Sequence, residues 1–105
     1  MAEVITSQNI DEKVFESKET YLLDFWATWC GPCSMLSQVM ESAAAELEEK
    51  VKIGKINVDD ERMLAQKFGI SSIPALFIVK DGEVVDSTVG YMEKEQLFEF
   101  IDRNL

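Results

Sequence analysis

The chain has 105 residues, 47% of them hydrophobic, which suits one compact domain over 1–105 with a core that needs no metal or disulfide staples. Twenty acidic residues against ten basic, with no histidine, give a net charge of -10; that sign excludes nucleic acid and anionic membranes as partners. No run reaches the roughly 18 apolar residues of a membrane span, and Met1-Ala2-Glu3-Val4 lacks the basic start and apolar run of a secretory signal. The expectation is a cytoplasmic protein, although a chain from which a signal had been removed would read the same way.

Val4-Ile5-Thr6 suits a short strand, and Ser7 is placed to cap a short amphipathic stretch with Ile10, Val14 and Phe15 at helical spacing. Tyr21-Leu22-Leu23-Asp24-Phe25-Trp26 is a nearly continuous apolar run, as expected of a central strand covered on both faces, with Trp26 assigned to the core. From Cys33 onward Met35, Leu36, Val39, Met40, Ala43, Ala44 and Leu47 share one stripe, predicting a single long amphipathic helix. Val51 to Val58 reads as another strand. Asp59-Asp60 then suits the cap of a short helix through Met63, Leu64 and Phe68 that stops at Gly69.

Beyond this point the alternation ends. Ala75 to Val79 and Val84 to Val89 flank Asp81-Gly82, a tight-hairpin signal. After Gly90 a last helix turns Leu97, Phe98 and Ile101 toward the core. The order βαβαβα then ββα predicts an α/β, three-layer α/β/α fold, with a mixed sheet of about five strands, an antiparallel pair at one edge, and four helices.

Two cysteines only three residues apart close too small a loop to staple a fold, so their spacing asks for a chemical reason. Trp29-Cys30-Gly31-Pro32-Cys33 lies where the buried strand hands over to the long helix. A helix N-terminus offers unpaired N–H groups and partial positive charge, which favour a thiolate. Cys30, at the first turn, is the expected nucleophile, and Cys33, turned into the helix, acts second. Pro32 is tolerated there because its missing N–H had no partner, and its fixed φ keeps the sulfurs within reach. A structural zinc site is excluded within this chain, which has no histidine and no third cysteine to complete about four ligands. The remaining alternative is a pair of inert core cysteines.

The segment Phe25-Trp26-Ala27-Thr28-Trp29-Cys30-Gly31-Pro32-Cys33 closely resembles the active-site segment of the thioredoxin family. The likeness continues in order through Asp24, Lys55, Gly69-Ile70-Ser71-Ser72-Ile73-Pro74, Asp81-Gly82 and Gly90. It covers essentially the whole chain. The resemblance implies the thioredoxin fold and a general protein-disulfide reductase and electron carrier. Such a protein uses the Cys30–Cys33 dithiol as its redox carrier and binds no cofactor or metal. Implied partners are disulfide-containing target proteins and an NADPH-dependent flavoprotein, thioredoxin reductase; the working form is expected to be a monomer.

Asp24 interrupts a strand covered on both faces, so its carboxyl is buried whichever way it points and its pKa should be raised. The resemblance makes it the proton acceptor for Cys33; the alternative is a satisfied structural carboxylate. Lys55 shares strand parity with Ile53, which suggests an inward-leaning ammonium, and it resembles the family lysine beside the buried acid. A lysine reaching the surface from a strand end is the competing reading. Pro74 before a strand would be unremarkable as a trans residue, but the resemblance implies a cis Ile73-Pro74 bond against the disulfide, with the Ile73 backbone pairing to an extended substrate. Trp29, Gly31, Pro32, Ile73, Pro74 and Gly90 would form a flat apolar docking face, with Trp29 partly exposed.

Two departures from the family pattern stand out. Ser34 and Gln38 occupy positions where members often carry lysine and proline; without the lysine the pair should favour thiolate somewhat less, and without the proline the helix should be straighter. Two rival functions remain at this point. A disulfide-forming oxidase or isomerase would have a higher reduction potential, and usually a histidine between its cysteines. A non-catalytic binding module would keep its function without either cysteine.

Overall fold

The computed structural model describes residues 2–105. Its five strands are β1 (Glu3–Val4), β2 (Tyr21–Trp26), β3 (Lys52–Asn57), β4 (Ala75–Lys80) and β5 (Glu83–Val89), in one sheet of order β1-β3-β2-β4-β5. β3 pairs parallel with β1 and β2, whereas β4 runs antiparallel to both β2 and β5. The helices are α1 (Gly31–Ser42), α2 (Ala44–Lys50), α3 (Arg62–Lys67) and α4 (Lys94–Asp102). Mixed sheet, edge hairpin and helices on both faces agree with the fold expected from the pattern of elements.

β2 is central, and because successive side chains leave a strand on opposite faces its apolar run serves two cores. Leu22 joins Ile53, Leu76 and Ile78 beneath Leu36, Met40 and Leu47 of α1 and α2 and Leu97, Phe100 and Ile101 of α4. Tyr21, Leu23 and Phe25 join Ile5, Ile10, Val14, Ile56 and Leu64 on the other face. There the rings of Phe25, Phe68 and Phe77 meet with centroids 5.0 to 5.4 Å apart. Asp24 has the parity of Leu22 and so points to the α1 face. In the parallel register Asp24 lies opposite Lys55. At Gly54, one residue before, a Cβ would stand 2.6 Å from Ile5 Cγ1 and 3.0 Å from Leu23 Cδ2, so the close packing of β1, β2 and β3 requires a residue without one. The hairpin turns at Asp81 and Gly82 with φ of 52° and 79°, the two positive values that a right-twisted ribbon favours.

Several local expectations are corrected. Thr6, not Ser7, opens the first helical stretch: its hydroxyl accepts from Gln8 N–H and its carbonyl from Asn9 and Ile10 N–H, while Ser7 N–H donates to Glu61 Oε1. That stretch contains a π-helical turn over Asp11–Phe15, closed by Glu16 N–H to Asp11 C=O. The long helix, expected to be a single element, is interrupted at Ala43 (φ -114°, ψ 17°), so the described residues carry five helical segments and not four. The Ser42 hydroxyl donates to Val39 C=O at 2.7 Å, taking the carbonyl that Ala43 N–H would reach in a regular helix. Ala43 N–H turns to Met40 C=O at 3.3 Å instead. A serine that bonds back in this way bends its helix.

The apolar stripe of that helix is narrower than expected: Leu36, Met40, Ala43 and Leu47 are buried, but Met35 is exposed. In α4 Phe100 is the buried ring, while Phe98 is half-buried between the ammonium groups of Lys50 and Lys94. Trp26, expected in the core, is half-buried, and Lys55 Nζ lies 5.7 Å from the centroid of its ring.

Candidate active site

The chain turns from β2 into α1 through Ala27-Thr28-Trp29, and Cys30 occupies the N-cap with extended backbone (φ -94°, ψ 108°) while Pro32 sits in the first turn. This geometry frees the first N–H groups of the helix, and Cys33 N–H donates to Cys30 Sγ at 3.2 Å. An anion on Cys30 Sγ is favoured by that donor and by the positive end of a helix 12 residues long. Cys30 and Cys33 are joined by a disulfide. Both are buried against Ala27, with Ile73 packed on them, and Cys30 keeps 6% of its surface against 3% for Cys33. Both residues are thus largely covered, Cys30 slightly less so than Cys33.

Around the disulfide the loops converge from three places. Ile73-Pro74 is a cis peptide bond, and the Ile73 carbonyl oxygen lies 3.9 Å from Cys30 Sγ. Pro74 C=O accepts Gly90 N–H at 2.8 Å, joining the start of β4 to the end of β5 where Gly90 takes φ 102°. Trp29 is 69% exposed, and Gly31 and Pro32 are also exposed. Ile73 and Gly90 are half-buried. Pro74, also expected on the docking face, is buried and directly precedes the first residue of β4.

Asp24 is 1% exposed, and its Oδ1 has no hydrogen-bond partner among the described residues. Burial pushes its pKa up to about 6, against the opposing pull of the Lys55 charge. That pull is incomplete. Lys55 Nζ stands 3.6 Å from Asp24 Oδ2, beyond hydrogen-bond length, and instead donates to Ser37 Oγ at 2.9 Å. Lys55 is thus turned inward, although about a quarter of its side chain meets solvent (23%). A cleft of ≈ 320 Å³, lined by Trp26, Cys33, Ser34, Ser37 and Lys55 among others, joins the second cysteine to this ammonium.

Two residues of the site are not singled out by sequence. Ser37 lies four residues after Cys33, so helical spacing alone places it on the same face. Asp59, expected to cap the next helix, accepts Trp29 Nε1–H at 2.8 Å; α3 begins after Glu61 with no side-chain cap. Among the described residues no group of three or more His, Cys, Asp or Glu is placed to hold a metal ion. No helix among them is long and apolar enough to cross a membrane.

Comparison with known proteins agrees with this arrangement. The sequence profile of the family described as Thioredoxin matches residues 1–103. The chain is 41% identical over 105 residues to the thioredoxin of Rickettsia bellii, covering 100% of both chains. It is 45% identical over 101 residues to that of Staphylococcus haemolyticus, covering 96% of this chain and 95% of the relative. It is 47% identical over 89 residues to that of Bacillus subtilis, covering 85% and 86%.

Proposed function

The chain belongs to the thioredoxin family and is a dithiol–disulfide oxidoreductase acting through Cys30 and Cys33, and from that premise we propose how its residues divide the work and with which partners. The Cys30 thiolate attacks one sulfur of a target protein disulfide; the target S–S bond breaks, a mixed disulfide forms, and the first target thiolate leaves and takes a proton. Asp24 then accepts the Cys33 proton, directly or through water in the adjoining cleft. The Cys33 thiolate attacks Cys30 Sγ, expelling the second target thiolate and leaving the Cys30–Cys33 disulfide. Two electrons pass to the target, and the dithiol itself is the carrier, with no bound cofactor.

The observation that carries this reading is the N-cap sulfur: Cys30 Sγ receives Cys33 N–H at the positive end of α1, in the more exposed position of the two. Lys55 tempers the charge on Asp24. Trp29, Gly31, Pro32, Ile73 and Gly90 offer the apolar surface on which an extended target segment docks, with the Ile73 backbone as its pairing edge and Pro74 supporting that edge from beneath. The protein works as a monomeric single domain in the cytosol and is recycled by an NADPH-dependent thioredoxin reductase. The Gly31-Pro32 pair, with no histidine between the cysteines, favours reduction over disulfide formation.

Reduction of insulin disulfides driven by dithiothreitol tests the reading. Turnover should be lost with Cys30→Ser, and Cys33→Ser should accumulate mixed disulfides that survive thiol quenching. A rate no higher than dithiothreitol alone, or a Cys30→Ser variant as active as the parent, would overturn it.

A further inference from the structure

Lys55 is the cation opposite Asp24 in the β2–β3 register, yet the two do not close into a hydrogen-bonded pair. A carboxylate 1% exposed with one oxygen unpartnered is where an ammonium should go first. Lys55 Nζ instead donates to Ser37 Oγ at 2.9 Å and lies 5.7 Å from the Trp26 ring centroid. Both contacts lie on the side of the cleft that Cys33 lines.

We propose that Ser37 is a positioning residue for the reaction: its hydroxyl, one helical turn beyond Cys33, holds the Lys55 ammonium back from Asp24 and so keeps the carboxylate free to take the Cys33 proton. The inference rests on the reading of Asp24 as proton acceptor. Among the described residues the charge acting on Asp24 is that of Lys55 from β3; across the sheet on β4 its register partner is the apolar Leu76, and from α1 the ionisable neighbour of the cleft is Cys33. With the cysteines in their disulfide neither titrates, so the carboxyl reports the position of Lys55 directly.

At an effective dielectric of about 20, shortening this 3.6 Å ion pair to a hydrogen-bonded one of ~2.8 Å strengthens the attraction by the equivalent of about one pH unit. Removing the Ser37 hydroxyl should therefore lower the Asp24 titration midpoint by about half to one pH unit. The test is carboxyl ¹³C NMR of the disulfide form in the parent, Ser37→Ala and Ser37→Thr, each with and without Lys55→Met. Ser37→Ala should lower the midpoint, Ser37→Thr should restore it, and Lys55→Met should abolish the difference. A change in helix packing alone would not depend on Lys55 in this way.

The acid limb of the insulin-reduction pH profile, measured alongside, should move to lower pH in Ser37→Ala. An unmoved midpoint in Ser37→Ala, or the same shift when Lys55 is methionine, overturns the inference while leaving Asp24 as the base. If Asp24→Asn leaves the pH profile unchanged, the proton-acceptor reading falls and Ser37 loses its place in the reaction, whatever the midpoint does.

Discussion

Asp24→Asn should stabilise the disulfide form, and the gain should grow with pH. The carboxyl titrates at about 6 in the folded chain, against 3.8 for an ordinary aspartate, so the folded protein holds this proton more tightly than the unfolded chain does. Stability from the group is complete below the unfolded value and is lost as pH rises through the folded value. Between the two the unfolded state binds fewer protons, and stability falls with pH. At about 1.4 kcal/mol per pH unit, a separation of about two units makes the ionised carboxylate cost about 3 kcal/mol above pH 7. The group is 1% exposed, so little of this is screened by solvent. Urea unfolding of parent and Asp24→Asn from pH 4 to 8.5, both oxidised, reads the difference, and every other carboxylate cancels in it. A buried amide without partners adds an offset that does not change with pH. A difference flat across the range would refute the argument, because it would mean that folding leaves the proton affinity of this carboxyl unaltered.

Gly54→Ala should destabilise by ~1–3 kcal/mol, since its Cβ would stand 2.6 Å from Ile5 Cγ1 and 3.0 Å from Leu23 Cδ2 and both are fully buried. A thermal midpoint lower by several degrees is the expected result, and no change would show that β1 moves aside freely. Ser42→Ala should release Val39 C=O to Ala43 N–H. Amide exchange at Ala43 should slow, with stability changed by less than about 0.5 kcal/mol; faster exchange there would show that the serine does not cause the break.

The elements legible in the sequence are those fixed by their own periodicity. The unbroken apolar run of β2 could serve only a strand covered on both faces, and Asp81-Gly82 could close only a hairpin of one hand. Cys30 at the N-cap is legible for the same reason, since only Ala27-Thr28-Trp29 separates the strand from the cysteine, and proline and amphipathic helix follow at once. What escapes is set by partners distant in sequence. Asp59 has the character of a helix cap, and nothing local says that the indole of Trp29, 30 residues away, reaches it first. Nothing local says that the Ser42 hydroxyl will bond Val39 C=O where the helix breaks, or that Ser37, though spaced onto the Cys33 face, will meet a lysine from a different strand. The burial of Pro74, after exposed Ser71 and Ser72, is likewise set by its neighbours in the fold and not by the local motif.

The placement of Asp24 explains how a carboxylate that weakens the fold can persist in its centre. β2 is bonded on both sides, to β3 through the Lys55 register and to β4 through Leu76, so neither backbone nor side chain can escape to a sheet edge. Its parity sends it to the α1 face, and the helix that covers it begins at the disulfide. The burial that raises its proton affinity is also what suits it to the proton-accepting role proposed above. Full neutralisation by Lys55 would restore stability and lower the proton affinity of the proposed acceptor; complete removal of Lys55 would raise that affinity further. A cation held 3.6 Å away by a serine lies between those limits. The apolar cores on the two faces of the sheet offset the cost.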